Sequence, residues 1–182
     1  MKTSIVKYVK PHIMTLIYLV LFLVWVFGFD SFKETLAIWF PGRIDLVSRT
    51  TLPVLTLQHL QIVLISTGAA ILVSLILGML VHLTQSDELE SLVLGLANIL
   101  ETIPSAAIIA LSVPLLGYGN APVLLALWLY AILPISRNVM VGLRGVIPAI
   151  QDAAKGVGMT PMQRLLKVEM PLSRPMILAG IK

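Results

Sequence analysis

Long stretches without a charged side chain constrain this chain more than any other feature. Residues 11–29 contain no Asp, Glu, Lys or Arg, and neither do residues 50–86. A helix of about 20 mostly apolar residues is what a bilayer requires of a spanning segment. The first run predicts one span, and the second predicts another over about 60–83. Residues 89–116 predict a third, interrupted by Glu101, Pro104 and Pro114, and residues 122–136 a fourth. A fifth apolar segment begins at Pro175 (PMILAGIK). Composition agrees: 58% of residues are hydrophobic and 12% charged, whereas a soluble domain is about 25% charged. The expected class is all-α, a multi-span transmembrane helical bundle in a cell membrane, with lipid as its solvent.

The first span also invites a signal-peptide reading, because Lys2, Lys7 and Lys10 precede the apolar run. The run is too long for that, and GFDSFKET offers no small-x-small cleavage site, so an uncleaved span is expected. Basic residues set the orientation. The N-terminal tail carries three Lys, and Arg137, Arg144, Lys155, Arg164, Lys167 and Arg174 cluster late in the chain. With four spans between them, both regions are assigned to the cytoplasm. The outward segment, residues 30–57, balances Lys33, Arg43 and Arg49 against Asp30, Glu34 and Asp45. The turn Gly117-Tyr118-Gly119-Asn120 also faces outward. Residues 85–90 (QSDELE) would be cytoplasmic although they contain no Lys or Arg.

Few polar groups interrupt the spans. Glu101 is a carboxylate at or near membrane depth, which marks either a functional residue or an interfacial, paired one. Pro104 and Pro114 each remove a backbone donor and are expected to kink the third span, as a translocation pathway often requires. Trp128 and Tyr130 lie close together in the fourth span and complete the candidate pathway residues. Ser66, Thr67, Gly68 and Ser74 are small and suit close helix packing. His59 and His82 are read as interfacial, since neither has a carboxylate or second His at metal-ligand spacing. No phosphate loop, HExxH or nucleophile elbow occurs, so no catalytic residue, cofactor or metal site is expected. Without cysteines there are no disulfides. The basic residues flank apolar spans without interleaved aromatics, which argues against nucleic acid as a partner.

The segment VIPAIQDAAKGVGMTPMQRLLKVEMPLSRP, residues 146–175, differs from the rest. Pro148 suits a first helical turn, AIQDAAKGV suits a helix, and Gly158 suits its left-handed C′ position. Thr160 then predicts a cap, with Pro161 first in the helix and Gln163 completing a capping box. The second helix, residues 161–168, would place Met162, Leu165 and Leu166 on one face and Gln163, Arg164 and Lys167 on the other. Pro171 and Pro175 are expected to end it before the next span. The segment is either an interfacial helical hairpin or a docking surface for a soluble partner.

These residues resemble the permease subunits of bacterial ATP-binding-cassette (ABC) importers. Those proteins carry a motif of EAA, three residues, G, nine residues, I, one residue and LP. Here Asp152-Ala153-Ala154 precedes Gly158 by the same spacing, and Val168, Met170 and Pro171 fall where I, L and P are expected. The departures are Asp for Glu, Val for Ile and Met for Leu. Upstream, Thr102-Ile103-Pro104-Ser105, the turn at residues 114–119 (PLLGYG) and residues 133–138 (LPISRN) resemble the osmoprotectant subfamily, which moves glycine betaine, carnitine and choline. The resemblance covers about residue 60 to the end and divides the chain into 1–57, an extra span with its outward segment, and 58–182, a partial permease domain whose coupling loop is 146–175. It implies a MetI-like ABC permease fold with a five-helix core. Three core spans lie here and the remainder would follow Lys182, so a C-terminally truncated chain is expected. It also implies the partners: two ABC ATPase subunits, an extracytoplasmic substrate-binding protein and a second permease subunit, identical or not. Asp152, Ala153, Ala154, Gly158, Thr160, Arg164 and Pro171 are the implied ATPase-coupling residues. The alternatives are an ABC permease for another small solute, a passive channel or a membrane scaffold.

Overall fold

The computed structural model describes residues 2–40 and 51–182, with side chains for 13–35, 38–40 and 51–182. The described residues are helical, without strands. They fall into two compact units, Met1–Gln61 and Ile62–Lys182. The first unit holds α1 (Lys2–Trp39) and the beginning of α2 (Leu52–Thr84). The apolar stretch of α1, Ile13–Thr35, leaves nearly all of its large side chains exposed, among them Leu16, Tyr18 and Phe27. An all-round apolar surface of this kind suits lipid. The helix runs ten residues past Phe29, so Asp30, Lys33 and Glu34 are helical rather than part of a loop. Arg43, Asp45 and Arg49 lie outside the described residues.

In the second unit, α2 continues to Thr84 and is followed by α3 (Asp87–Thr102), α4 (Ser105–Leu116) and α5 (Asn120–Arg144). Three described helices, α1, α2 and α5, are long and apolar enough to cross a membrane, and the α3–α4 pair makes a fourth if counted together. That pair bends by 94°. Its break has a local cause. Ile103 precedes a proline and is pushed into extended backbone, with ψ 124°, and α4 restarts from the Pro104 carbonyl, which accepts from the N–H groups of Ala107 and Ile108. Pro114, by contrast, is carried inside α4 and ends nothing.

Both α3 and α4 pack against α5. Asp87 and Glu90 at the start of α3 pair with Arg144 at the end of α5. Asn98 accepts from Arg137 at 2.9 Å, and the Ile103 carbonyl accepts from the Tyr130 hydroxyl. The end of α4 joins the start of α5 through a turn in which Gly117 and Gly119 both have positive φ. Both halves of the bent pair therefore touch α5, which is about 38 Å long for its 25 residues. The pairing also explains residues 85–90: their acids meet the basic residue of the neighbouring helix end.

The core forms where small residues let helices approach. Ser66, Ala70, Ser74 and Gly78 recur every fourth residue along the buried face of α2. Ser74 is fully buried and donates to the Ile132 carbonyl of α5 at 3.2 Å. A Cβ on Gly78 would stand 2.3 Å from Val139 Cγ1. Ser66 turns its hydroxyl onto its own helix, at 2.8 Å from the Ile62 carbonyl, while Gly68 is exposed. Around this seam Ala70, Ile135, Val139, Leu143, Leu165 and Ile177 form the central cluster.

After α5 the chain forms α6 (Pro148–Gly156), and then a helix that does not stop at the prolines. It runs as α7 (Pro161–Arg164), a π-helical turn η1 (Leu165–Glu169) and α8 (Met170–Ile181). The expectation that Pro171 and Pro175 end this helix is therefore wrong. Pro171 follows directly on the wide π turn, where Met170 bonds back to Leu165, and it sits in the first turn of α8, where a missing N–H is least costly. Pro175 is carried inside α8.

Candidate functional site

The polar segment between α5 and α8 is shaped by its caps. α6 ends in a Schellman motif: the Gly158 N–H bonds the Lys155 carbonyl at 2.9 Å and the Met159 N–H bonds the Ala154 carbonyl at 3.1 Å. Gly158 takes φ +80°, as a left-handed C′ residue must. Thr160 then starts α7 through a complete capping box. Its hydroxyl accepts from the Gln163 N–H at 3.3 Å, and its own N–H donates to Gln163 Oε1 at 3.0 Å. Both orphaned helix ends are thus satisfied within a few residues, which makes the turn between α6 and α7 rigid without help from the core.

The side chains divide between an inner and an outer face. Ala154 and Leu165 are buried, while Asp152, Ala153, Gly158 and Thr160 are exposed, with Asp152 paired to Lys155 at 3.0 Å. Pro171 is half-buried. Of the expected apolar stripe only Leu165 enters the core; Met162 and Leu166 are about half exposed, and Val157 is 74% exposed. Val157, Met162 and Leu166 are exposed, as are Asp152 and Lys155, so the segment offers both apolar and charged side chains.

One cluster escapes a reading by spacing. Glu169 is fully buried. Its Oε2 lies 2.7 Å from His82 Nε2 and its Oε1 2.8 Å from Arg164 Nε. His82 is buried against it: its side chain is 8% exposed, and this partner comes from 87 residues later in the chain. No local pattern could announce that pair. Arg164 is closer in sequence, but in an α-helix residues five apart differ by about 140° around the axis, so only the π turn brings it to Glu169.

The candidate pathway residues are not gathered into one site. Tyr130 and Pro104 meet, through the hydroxyl bond to the Ile103 carbonyl. Trp128, two residues from Tyr130, points to α2 instead and lines a cavity of about 220 Å³ with Ile65, Ser66, Ala69, Leu124 and Leu125. Its Nε1 is buried without a partner. The two rings form no cage. Glu101 is exposed on α3. Among the described residues no group of three His, Asp or Glu side chains could hold a metal.

Residues 70–182, which contain the α2–α5 core, the capped segment and α8, match the family of binding-protein-dependent transport system inner membrane components. The chain belongs to that family. It is 42% identical over 127 residues to the choline transport system permease protein OpuBB of Bacillus subtilis, covering 70% of this chain and 58% of that protein. It is 42% identical over 125 residues to the glycine betaine/carnitine/choline transport system permease protein OpuCB of the same organism, with 69% and 57% covered. Against the osmoprotectant import permease protein OsmY of Salmonella typhimurium it is 31% identical over 182 residues, all of this chain and 72% of the other. The permease thus spans somewhat over half the length of the first two relatives. Its helices and its family make it a membrane protein.

Proposed function

We propose that this protein is the membrane-spanning subunit of an ATP-driven importer of quaternary-amine osmoprotectants such as glycine betaine, carnitine or choline. The observation that carries the reading is the capped segment, residues 146–171: a rigid two-helix turn with an exposed apolar face, continuous with a helix packed in the core. Asp152, Ala153, Ala154, Gly158, Thr160, Arg164 and Pro171 belong to it. Such a segment transmits a displacement that a flexible linker would absorb. The partner that seats on it is an ABC ATPase, which supplies hydrolysis; the permease itself performs no chemistry. A second permease subunit completes the pathway, and an extracytoplasmic binding protein delivers the solute.

The broken α3–α4 span with its Pro104 hinge suits alternating access, since the break gives a helix two halves that can move separately. Quaternary ammonium groups are held by aromatic faces, and Trp128 and Tyr130 point apart, so selectivity belongs to the binding protein. The N-terminus and the capped segment lie on the cytoplasmic side, as the Lys and Arg distribution requires. The substrate class rests on the likeness to the choline and glycine betaine/carnitine/choline permeases of Bacillus subtilis.

The test is growth at high salt. A strain without its own osmoprotectant importers, supplied with the whole permease, its ATPase and its binding protein, should recover with glycine betaine, carnitine or choline. Rescue by none of them, with uptake of an unrelated solute, would refute the substrate class and leave the family membership untouched. Solute flux without nucleotide would favour a channel.

A further inference from the structure

We infer that His82, Glu169 and Arg164 form a buried joint that passes the displacement of the α7 helix to α2, which makes them positioning residues for coupling. The inference rests on the reading of the permease as an ATP-driven importer, and goes beyond it by naming the contact that connects the docking segment to the core.

The geometry has three parts. Arg164, the last residue of α7, is held to Glu169 by its Nε at 2.8 Å. Glu169, at the end of the π turn, is held to His82 near the end of α2 at 2.7 Å. One turn further on, Ser173 is buried and donates its hydroxyl to the Gly142 carbonyl of α5 at 2.7 Å. A Cβ on Gly142 would stand 3.2 Å from Ser173 Cβ, so α5 and α8 touch there almost backbone to backbone. The helix that begins at the docking segment is thus pinned to both core helices within about three turns of its start.

The chemistry distinguishes this joint from ordinary packing. Leu165 is also fully buried in the central cluster, but apolar contacts are non-directional and allow sliding. A carboxylate with two partners fixes distance and angle together. Opening the joint would leave a charge buried without a partner, which is strongly unfavourable, so it stays closed while the segment moves. The hydrogen bond joins His82 Nε2 to Glu169 Oε2. The other nitrogen, Nδ1, is buried without a partner, and the ring is therefore oriented through Glu169 alone. The π turn has a role in the same device, since it alone aligns residues five apart. Short π segments inside α-helices often mark functional positions.

The experiment uses the assembled importer in proteoliposomes, with its ATPase and solute-loaded binding protein, and measures ATP hydrolysis and uptake on the same vesicles. His82→Leu leaves the Arg164–Glu169 pair intact, so membrane insertion and ATPase association should be kept. ATP consumed per solute taken up should rise by about tenfold, within the usual range for coupling between sites. His82→Gln retains an amide donor for Glu169 and should restore the ratio to within about twofold of the wild type. The triple variant His82→Leu/Arg164→Leu/Glu169→Met replaces the charges by packing, which often preserves folding. It should be abundant and uncoupled. An unchanged ratio in His82→Leu and in the triple variant, beside a coupled wild type, overturns the joint and reduces the cluster to structure. A wild type that hydrolyses ATP without importing any of the amines refutes the functional reading instead, and the joint falls with it.

Discussion

Gly158 offers the most direct test of the docking segment, because its surroundings separate two effects of a side chain. Its φ of +80° is a conformation that side chains disfavour, at roughly 1–2 kcal/mol for an L-residue. A Cβ built there meets nothing within 4 Å. Within the permease, then, a substitution acts through the backbone and not through a clash. Gly158→Asn should be nearly neutral, since Asn tolerates this region. Gly158→Ala should cost about 1–2 kcal/mol locally, a factor of about 5–30 in the population of the turn. Gly158→Val should cost more, because a β-branched residue at positive φ is a true outlier. The central cluster does not include Gly158, so insertion and abundance should stay near normal throughout the series.

Beyond the backbone effect, Gly158→Val also adds bulk on the exposed face where a partner would seat. Uptake and solute-stimulated hydrolysis should therefore be measured side by side in reconstituted vesicles, with ATPase association measured in parallel. The expected order of coupling is Gly, Asn, Ala, Val, with Val losing association as well. Asp152→Asn should matter less than Gly158→Val, because Asp152 is exposed and its pair with Lys155 is a surface pair. Full coupling in Gly158→Val would remove this turn from the mechanism and leave an interfacial hairpin.

Three further outcomes are expected. Single cysteines at Ser4 and Thr160 should resist an impermeant thiol reagent in intact cells, while one at Ser31 should react; labelling of Thr160→Cys from outside would reverse the topology. Gly78→Ala should lower the melting temperature of the purified permease, by about 1–3 kcal/mol of overpacking, because its Cβ would meet Val139 Cγ1 at 2.3 Å, whereas Gly68→Ala, with nothing within 4 Å, should be neutral or stabilising. Tyr130→Phe removes the hydroxyl that serves the Ile103 carbonyl at the α3–α4 break and should cost about 1 kcal/mol, read as a lower melting temperature; an unchanged value would mean that the break holds without it.

Much of this architecture is legible in the sequence because hydropathy and caps act locally. The charge-free runs give α1 and α2, and the apolar stretch from residue 122 gives α5, though the helices extend past the apolar limits wherever polar residues remain compatible with a helix. Thr160, Pro161, Gln163 and Gly158 specify their own turn, since every partner in the capping box and the Schellman motif lies within five residues. Pro104 breaks its span where Ile103 before it takes the extended backbone that a following proline favours. Pro114 does not, although the residue type is the same. A missing N–H can be tolerated inside a helix that its neighbours hold, and α4 packs along α5.

What could not be read was decided by partners distant in the chain. His82 looks interfacial in a list of residues, because nothing near it in sequence accepts its hydrogen; its acceptor arrives 87 residues later. The error over Pro171 and Pro175 has the same root. Reading proline as a stop assumes α-helical bonding on both sides, but the π turn at Leu165–Glu169 bonds five residues back, and this both accommodates the proline and rotates the register. Glu169 then faces inward, where a carboxylate would be untenable alone, and meets Arg164 and His82 there. The tolerated Pro171 and the pairing of the buried acid with Arg164 both follow from one extra residue in one helical turn. A periodicity of 3.6 cannot foresee that residue, and its energetic justification lies in the pair it completes with α2.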